Sequence, residues 1–247
     1  MVAHSAEIIA TIPPIAGIVQ MLDRESRITC LLPAGSDPHH FQLSPRQIEK
    51  LKKATLLVRT SKDDHGWMKL SSGLPLIDLW PDQDHAWLNP DQVQIILPRL
   101  AEKLISILPE KRTIILNNLA MAQKTVAMIK DELTHALKEL KTDGIIMQHP
   151  SWRGLFKSFN VPVLTTLESQ HHGHELGPRH LEAALNTLKK NPAAFLVGDL
   201  QHSNRSLQWL ADHAENKKEI LYLDALGSCD DDWSTLMQKN IDRINNR

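Results

Sequence analysis

The sequence predicts an α/β protein with two lobes, each built on a parallel sheet, that are joined by one long α-helix. Short apolar segments alternate with helical patterns at both ends of the chain, and a long helical pattern without Gly or Pro lies between them. Alternating strands and helices are typical of parallel sheets that carry helices on both faces. A chain of 247 residues is long enough for two such lobes.

The first lobe is predicted over residues 1–110. Four short segments rich in Ile, Leu and Val, and bounded by Pro, Gly or charge, indicate strands: Glu7–Ile12, Arg27–Leu32, Thr55–Arg59 and Leu74–Ile77. Helical patterns lie between them at Ala16–Leu22, Pro45–Lys53 and Asp64–Leu70. Pro45 suits the first turn of a helix that Ser44 caps.

The connecting helix is predicted over residues 111–143. Between Thr113 and Asp143 apolar residues recur in steps of three and four: Ile115, Leu119, Ala122, Val126, Ile129, Leu133, Ala136 and Leu140. This periodicity predicts one continuous amphipathic helix, about 40 Å long at 1.5 Å per residue. The alternative is a pair of helices with a break that no Gly or Pro marks.

The second lobe is predicted over residues 144–247, where the alternation resumes. Strands are expected at Gly144–Met147, Val161–Thr165, Ala193–Val197 and Ile220–Leu223. Helices are expected at Trp152–Phe159, Pro178–Lys189, Ser203–Ala214 and Trp233–Ile244.

The composition indicates a soluble globular protein, with 42% apolar and 23% charged residues. A formal net charge of −1 gives no indication of nucleic-acid binding. The sequence contains neither an apolar stretch long enough to cross a bilayer nor a secretory signal, so its opening suits a mature exported protein with a new start codon as well as a cytosolic one. Cys30 and Cys229 are 199 residues apart, and two unpaired thiols are expected rather than a bridge.

Four candidate metal ligands follow predicted strands at their carboxyl ends, where the loops of open α/β sheets converge on ligands. His39 and His85 follow the second and fourth strands of the first lobe, and His149 and Asp224 follow the first and last strands of the second lobe. Three neutral imidazoles and one carboxylate suit tetrahedral Zn²⁺. Four protein ligands would close the coordination sphere, so the site would bind an ion without activating a water.

Four segments around these residues resemble the motifs of the zinc- and manganese-binding receptors of ABC importers. These receptors form cluster A-I and have a TroA-like fold with a long helical backbone. The segments follow the family order along the whole chain: Leu32–Pro45, Asp84–Pro90, Ile146–Val161 and Leu221–Gly227. The first contains Asp-Pro-His before an aromatic residue and a later Pro. The second has the sequence Asp-His-Ala-Trp-Leu-Asn-Pro. The third is a His before an aromatic-rich helix and a strand, and the fourth contains Asp-Ala-Leu-Gly.

The resemblance implies two βα lobes joined by the long helix, with a metal held in the cleft between them by His39, His85, His149 and Asp224. It implies an ABC permease and its ATPase as partners, and a periplasmic or extracytoplasmic location. A membrane anchor through a missing N-terminal segment is compatible with it. We expect a monomeric binding protein for metal ion import that has no enzymatic activity and no nucleic-acid partner.

Three features depart from the family pattern. Asp224 is followed by Ala225, where Asp-Pro-Leu-Gly is common in the family. Residues 62–83 are too short for the His-rich loop of many zinc members, whereas a second-lobe loop carries His171, His172 and His174, either as a metal-collecting or docking patch or as solvated residues. Some members have Glu, associated with manganese, where this chain has His149, which favours zinc over Mn²⁺.

Three rival functions remain open. One is a manganese receptor of the same fold. The second is a zinc hydrolase that uses the same histidines, keeps the fourth position open for water, and takes Asp224 or Glu168 as general base. The third is a surface adhesin built on the same fold, which partner binding independent of metal would favour. The remaining histidines are expected to have no ligand role: His40 supports the site or points away, His65 begins a helix, and the others lie at the surface: His4, His135, His180, His202 and His213.

Overall fold

The computed structural model describes residues 6–33, 35–36, 41–61, 73–168 and 177–247. Its contacts divide the chain into two compact units, Met1–Lys130 with Leu226–Met237 and Asp131–Ala225 with Gln238–Arg247. Each unit contains a parallel four-stranded sheet with flanking helices, which confirms the predicted fold class. The predicted lobe boundaries, 1–110 and 144–247, divide the chain by sequence order and stay a prediction.

The sheet of the first unit has the strand order β2-β1-β3-β4. Its parallel strands are β1 (Glu7–Ala10), β2 (Arg27–Cys30), β3 (Leu56–Ser61) and β4 (Leu76–Trp80). The helices are α1 (Pro13–Leu22), α2 (Pro45–Lys52) and α3 (Pro90–Ile107). All four strands were predicted, with β4 beginning and ending later than expected. The predicted helix at 64–70 lies outside the described residues.

Capping side chains fix the starts of two helices, α2 and α3. Ser44 caps α2 through a reciprocal pair of bonds, because its hydroxyl accepts from the Gln47 N–H at 3.4 Å and the Gln47 side chain accepts from the Ser44 N–H at 2.8 Å. Asn89 caps α3, and its side-chain oxygen accepts from the Asp91 N–H at 3.0 Å. Helix α3 was not predicted, although the Asn89-Pro90 start is a recognisable signal.

The long helix α4 covers Arg112–Ala136, and a separate short helix α5 covers Lys138–Asp143. The single helix predicted over 113–143 is therefore wrong at one residue, Leu137, whose φ of −84° and ψ of 2° depart from α-helical values. The Leu137 N–H still bonds to the Leu133 carbonyl at 3.0 Å. The apolar period runs through Leu137 without interruption, and no Gly or Pro marks the break. The sequence pattern therefore gives no sign of it. Of the eight periodic residues, seven are buried and Leu119 is half-buried.

The sheet of the second unit has the strand order β6-β5-β7-β8. Its parallel strands are β5 (Ile145–Met147), β6 (Val163–Thr166), β7 (Phe195–Asp199) and β8 (Ile220–Leu223). The helices are α6 (Arg153–Ser158), α7 (Pro178–Lys190), α8 (Arg205–Asp212) and α9 (Trp233–Asn245), of which α9 begins in the first unit and ends in the second. Within the described parts of the chain, no helix is long and apolar enough to span a membrane.

The C-terminal segment 226–237 belongs to the first unit, and a disulfide holds it there. Cys30, the last residue of β2, is bonded to Cys229 with a Cα–Cα distance of 6.0 Å, so the expectation of two free thiols is wrong. The separation of 199 residues gave no indication of this contact, which depends on where the returning segment packs. The Trp233 indole N–H donates to the Trp87 carbonyl at 2.7 Å, and the Gln20 side chain donates to the Cys229 carbonyl at 2.9 Å.

Gly17 of α1 lies directly against the backbone of this segment, and we expect Gly17→Ala to destabilise the protein. A Cβ at this position would lie 2.7 Å from the Trp233 nitrogen and 2.9 Å from the Asp231 oxygen. Backbone atoms would have to shift, so the free energy of unfolding should fall by about 1–3 kcal/mol in chemical denaturation. Gly154→Ala in helix α6 is the control, because no neighbouring atom lies within 4 Å of a Cβ placed at position 154. A Gly17→Ala protein as stable as the wild type would contradict the close packing.

Asp23, just after α1, is a buried carboxylate paired with Lys111. It lies 2.9 Å from the Lys111 Nζ and accepts from the Ser26 hydroxyl at 2.6 Å. Burial raises the Asp23 pKa, but the bonds from Ser26 and Lys111 outweigh it and the pKa is lowered. A lowered native pKa stabilises the fold above the unfolded value of about 3.9, and this stability is lost as the pH falls through the native pKa.

We therefore expect Asp23→Asn to lower the free energy of unfolding by about 2–4 kcal/mol at neutral pH, because it removes the buried anion of Lys111 and leaves this largely buried ammonium only the exposed Glu25, at 3.7 Å. The difference from the wild type should shrink as the pH falls below about 4. Denaturant unfolding across pH measures both. Asp91→Asn is the control: its partner Lys130 is about half exposed, so the cost should stay below about 1 kcal/mol. A pH-independent difference would argue against the ionic origin.

Candidate metal centre

The structure describes three of the four predicted ligands. His85 follows β4, His149 follows β5 and Asp224 directly follows β8. His39 lies outside the described residues, as do six further histidines of the sequence analysis: His4, His40, His65, His171, His172 and His174.

His85 sits at a constrained point of the backbone in the first unit. Its φ of 51° and ψ of 28° are left-handed, which is uncommon for a residue other than Gly. It precedes a short 3₁₀ turn, Ala86–Leu88, whose buried Trp87 is held by the bond from Trp233. The half-buried imidazole lies 5.1 Å from the Trp87 ring. The position of His85 is therefore fixed by its buried neighbours.

His149 is buried in the second unit and its ring makes a bond to a carboxylate. The Nδ1 atom lies 2.9 Å from Oε2 of Glu168, which is itself buried. Burial raises the Glu168 pKa, but the hydrogen bonds from His149 and Gln148 outweigh it, so the pKa is lowered and the group is a carboxylate. A carboxylate at one ring nitrogen is the usual support of a histidine that binds metal through the other.

His202 is half-buried and packs on the face of His149, so the prediction that it lies at the surface is wrong. The two rings are stacked, with centroids 4.0 Å apart and planes at 17°. Nitrogen and oxygen atoms of His149, Glu168 and His202 all lie within 4.8 Å of one another. Imidazole lone pairs lie in the ring plane, so two nearly parallel rings cannot both direct a nitrogen at one ion about 2.0–2.1 Å away. We therefore assign His202 as a neighbour of His149, the predicted ligand, and not as a second ligand. His202 follows the carboxyl end of β7, so the criterion that selected the other candidates also applies to it.

Asp224 is held by two amide side chains. The Asn240 side chain accepts from the Asp224 N–H at 2.7 Å and donates to its carbonyl at 2.9 Å. The Gln201 side chain donates to the Asp224 carboxylate at 2.8 Å and accepts from the Ala225 N–H at 3.1 Å. Ala225 thus supplies an N–H that the Pro common in the family lacks. Among the described residues, Asp224 is not part of the group around His149.

A further carboxylate, Asp199, is buried at the end of β7. It accepts from the Ser151 hydroxyl at 2.7 Å and from the Gln201 N–H at 3.0 Å. Burial raises the Asp199 pKa to about 6, against the lowering effect of the Ser151 bond, and repulsion from Asp224 acts in the same direction as burial. Carboxylates and imidazoles thus gather at the carboxyl edge of this sheet, a set of groups that favours a bound cation.

Solved structures show the same fold over nearly the whole chain. A crystal structure of ZnuA has a TM-score of 0.87 with 24% identity and covers 98% of this chain and 99% of that one. The structure of the SBP FpvC from Pseudomonas aeruginosa in complex with Mn²⁺ has a TM-score of 0.83 with 16% identity and covers 98% of both chains. These likenesses show the fold of the chain, which is that of solved metal-binding proteins.

The family model described as "ZnuA: Zinc-uptake complex component A periplasmic" matches residues 8–247, and the chain belongs to this family. A putative metal-binding protein of Thermotoga maritima is 29% identical over 180 residues, 67% of this chain and 66% of that protein's length. The high-affinity zinc uptake system protein ZnuA of Haemophilus ducreyi is 24% identical over 235 residues, 77% of this chain and 74% of that protein.

Family membership confirms the predicted resemblance and the predicted function as a metal-binding substrate-binding protein of an ABC metal transporter. The family is one of receptors rather than of enzymes, and its description is periplasmic. The individual ligands stay a prediction.

We expect Asn240→Ala to destabilise the protein, because this buried side chain bonds both backbone groups of Asp224. Replacing it removes the Asn240 bonds to the N–H and carbonyl of the half-buried Asp224, which should lower the free energy of unfolding by about 1–3 kcal/mol in urea. Gln238→Ala, on the same helix, removes only an exposed 3.3 Å bond to Asp242 and should cost less than about 1 kcal/mol. Equal losses in the two variants would refute the anchoring role of Asn240.

Proposed function

We propose that this chain captures Zn²⁺ outside the cytoplasmic membrane and delivers it to the permease of an ABC importer, whose ATPase drives uptake. The observation that carries the proposal is the buried His149, whose Nδ1 is 2.9 Å from the Glu168 carboxylate. A ring with its Nδ1 hydrogen on a carboxylate offers the Nε2 lone pair, and a neutral imidazole nitrogen is a preferred zinc ligand.

The proposed ligands are His39, His85, His149 and Asp224. Three nitrogens and one carboxylate oxygen at about 2.0–2.2 Å satisfy tetrahedral zinc and leave no position for a reactive water. A transport receptor has to hold the ion without catalysing a reaction, and such a closed site would do so. The rival hydrolase would need an open fourth position and a free general base. The family match to transport receptors argues against it, and metal-dependent turnover of model esters would support it.

The location and partners follow from the same proposal. The chain acts as a monomer on the extracytoplasmic side, where its family is described. His171, His172 and His174 are proposed to be dispensable for the tight site, because no ligand motif includes them. Neither nucleic-acid binding nor an enzymatic activity is part of this function.

Manganese is the alternative cargo, and a Mn²⁺ complex exists for the structural relative FpvC. His149 supports zinc, because an imidazole nitrogen suits zinc better than manganese, whereas carboxylates suit manganese. The donor at position 149 is thus the point at which the two cargoes can be distinguished.

We expect His149→Glu to lower the ratio of zinc to manganese affinity, because it replaces a nitrogen by one or two oxygens. Zinc should still bind more tightly in absolute terms, since divalent affinities rise from manganese to zinc. His149→Ala should weaken zinc outright by opening the site to water. Competition titration of both metals into the wild type and both variants, together with elemental analysis of the purified protein, measures these effects.

His213→Glu and His213→Ala are the matched controls. His213 lies in the same unit, but its ring is exposed, stacks on Trp209 at 4.0 Å and bonds the Trp209 carbonyl. Both His213 variants should keep the wild-type affinities. An unchanged metal ratio in His149→Glu, with full zinc affinity in His149→Ala, would show that His149 is not a ligand and that the four-residue site is wrong.

A further inference from the structure

We propose that Glu168 is a positioning residue: a buried hydrogen-bond relay from the backbone of α8 through Gln148 and Glu168 sets the tautomer of His149 and thereby presents Nε2 to the metal. This inference rests on the proposed function of His149 as a ligand. It assigns roles to Glu168, Gln148 and His202, three residues that do not themselves bind the ion.

The direction of the relay is fixed at its first member, the Leu207 N–H. A backbone N–H can only donate, and it lies 3.0 Å from the side-chain oxygen of Gln148. The Gln148 amide is therefore oriented with its NH₂ group towards Glu168, where Nε2 donates to Oε1 at 2.8 Å. Both side chains are buried, so no solvent competes for these bonds.

The second half of the relay transfers this direction to His149. With Oε1 occupied by Gln148, the Glu168 carboxylate meets the His149 Nδ1 through Oε2 at 2.9 Å. An ionised carboxylate only accepts, so Nδ1 must carry the hydrogen. In a neutral ring the lone pair then lies on Nε2. A single backbone N–H in α8 thus determines which nitrogen of His149 is available to a metal.

Rigid elements hold every member of the relay. The Glu168 N–H donates to the Gln148 carbonyl at 2.9 Å, which ties the end of β6 to the end of β5. Leu207 is fully buried in a cluster that includes Ile146, Leu196 and Leu210. The relay is consequently positioned by the core of the second unit.

His202 restrains the same ring from a second direction. Glu168 bonds His149 at the ring edge, whereas His202 covers a ring face with centroids 4.0 Å apart. The edge contact sets the tautomer and the rotation within the ring plane, and the face contact limits tilting. Together they preorganise the ligand, so binding requires no selection of tautomer or rotamer.

Glu168→Gln provides a sharp test, because the relay predicts that it reverses the tautomer. The oxygen of the new amide must accept from Gln148, so its NH₂ group faces the His149 Nδ1 and forces that atom to accept. The hydrogen then moves to Nε2, the proposed metal-binding atom. Long-range ¹H–¹⁵N spectra of the metal-free protein, with the His149 signals assigned from His149→Ala, should show Nδ1–H in the wild type and Nε2–H in the variant.

Zinc affinity should fall roughly 10–100-fold in Glu168→Gln, the usual effect of losing the partner of a metal-bound histidine. His202→Ala should keep the wild-type tautomer and lose less affinity. Asp23→Asn is the matched control, a buried carboxylate-to-amide change in the first unit that should leave both the tautomer and the zinc affinity unchanged despite its lower stability.

The outcomes separate the two proposals. A wild-type spectrum with Nε2–H would overturn the relay without any variant, even if Glu168→Gln failed to fold. A Glu168→Gln protein that keeps Nδ1–H, or one that loses no more affinity than Asp23→Asn, would also overturn it. A wild type that binds no zinc but shows the predicted tautomers would refute the proposed function and leave the relay standing.

Discussion

Parallel pairing in the second sheet is the constraint on which the candidate metal centre depends. Because β5, β7 and β8 run in one direction, their carboxyl ends meet at the same edge, with Met147 beside Val197 and Asp199 beside Leu223. His149, His202 and Asp224 all follow these ends. A shift of register by one residue would turn successive side chains to the other face. The site is therefore a consequence of the sheet, which the buried Ile and Leu residues of its core hold in place.

At this edge of the sheet, the orientation of each buried polar side chain is set by which of its neighbours donate hydrogen bonds and which accept them. Gln148 and Asn240 are buried amides, each bonded through both its oxygen and its nitrogen to a backbone or carboxylate partner. An amide that is satisfied at both ends has only one orientation, because reversal would place donor against donor. Such fixed amides hold the neighbouring His149 and Asp224, two of the proposed ligands, in defined positions, and preorganisation of this kind lowers the cost of binding.

The first unit is completed by a segment from far along the chain. Residues 226–237 pack on α1 so closely that Gly17 leaves no space for a side chain, and Cys30 and Cys229 join them covalently. The same segment bonds the carbonyl of Trp87, two residues after the candidate ligand His85. The backbone that carries His85 is consequently supported from the C-terminal part of the chain, which directly follows Asp224 in sequence.

Local periodicity and short motifs are enough to predict the parallel α/β class, the eight strands, the long helix and the family. They also indicate the four candidate ligands, which stay a prediction. The break at Leu137 cannot be predicted in this way, because the apolar period continues through it, whereas Asn89-Pro90 is a local signal for the start of α3. The pairing of Cys30 with Cys229 and the stacking of His202 on His149 were decided only by the tertiary structure, since both contacts join residues that are distant in sequence and close only once the sheets have formed.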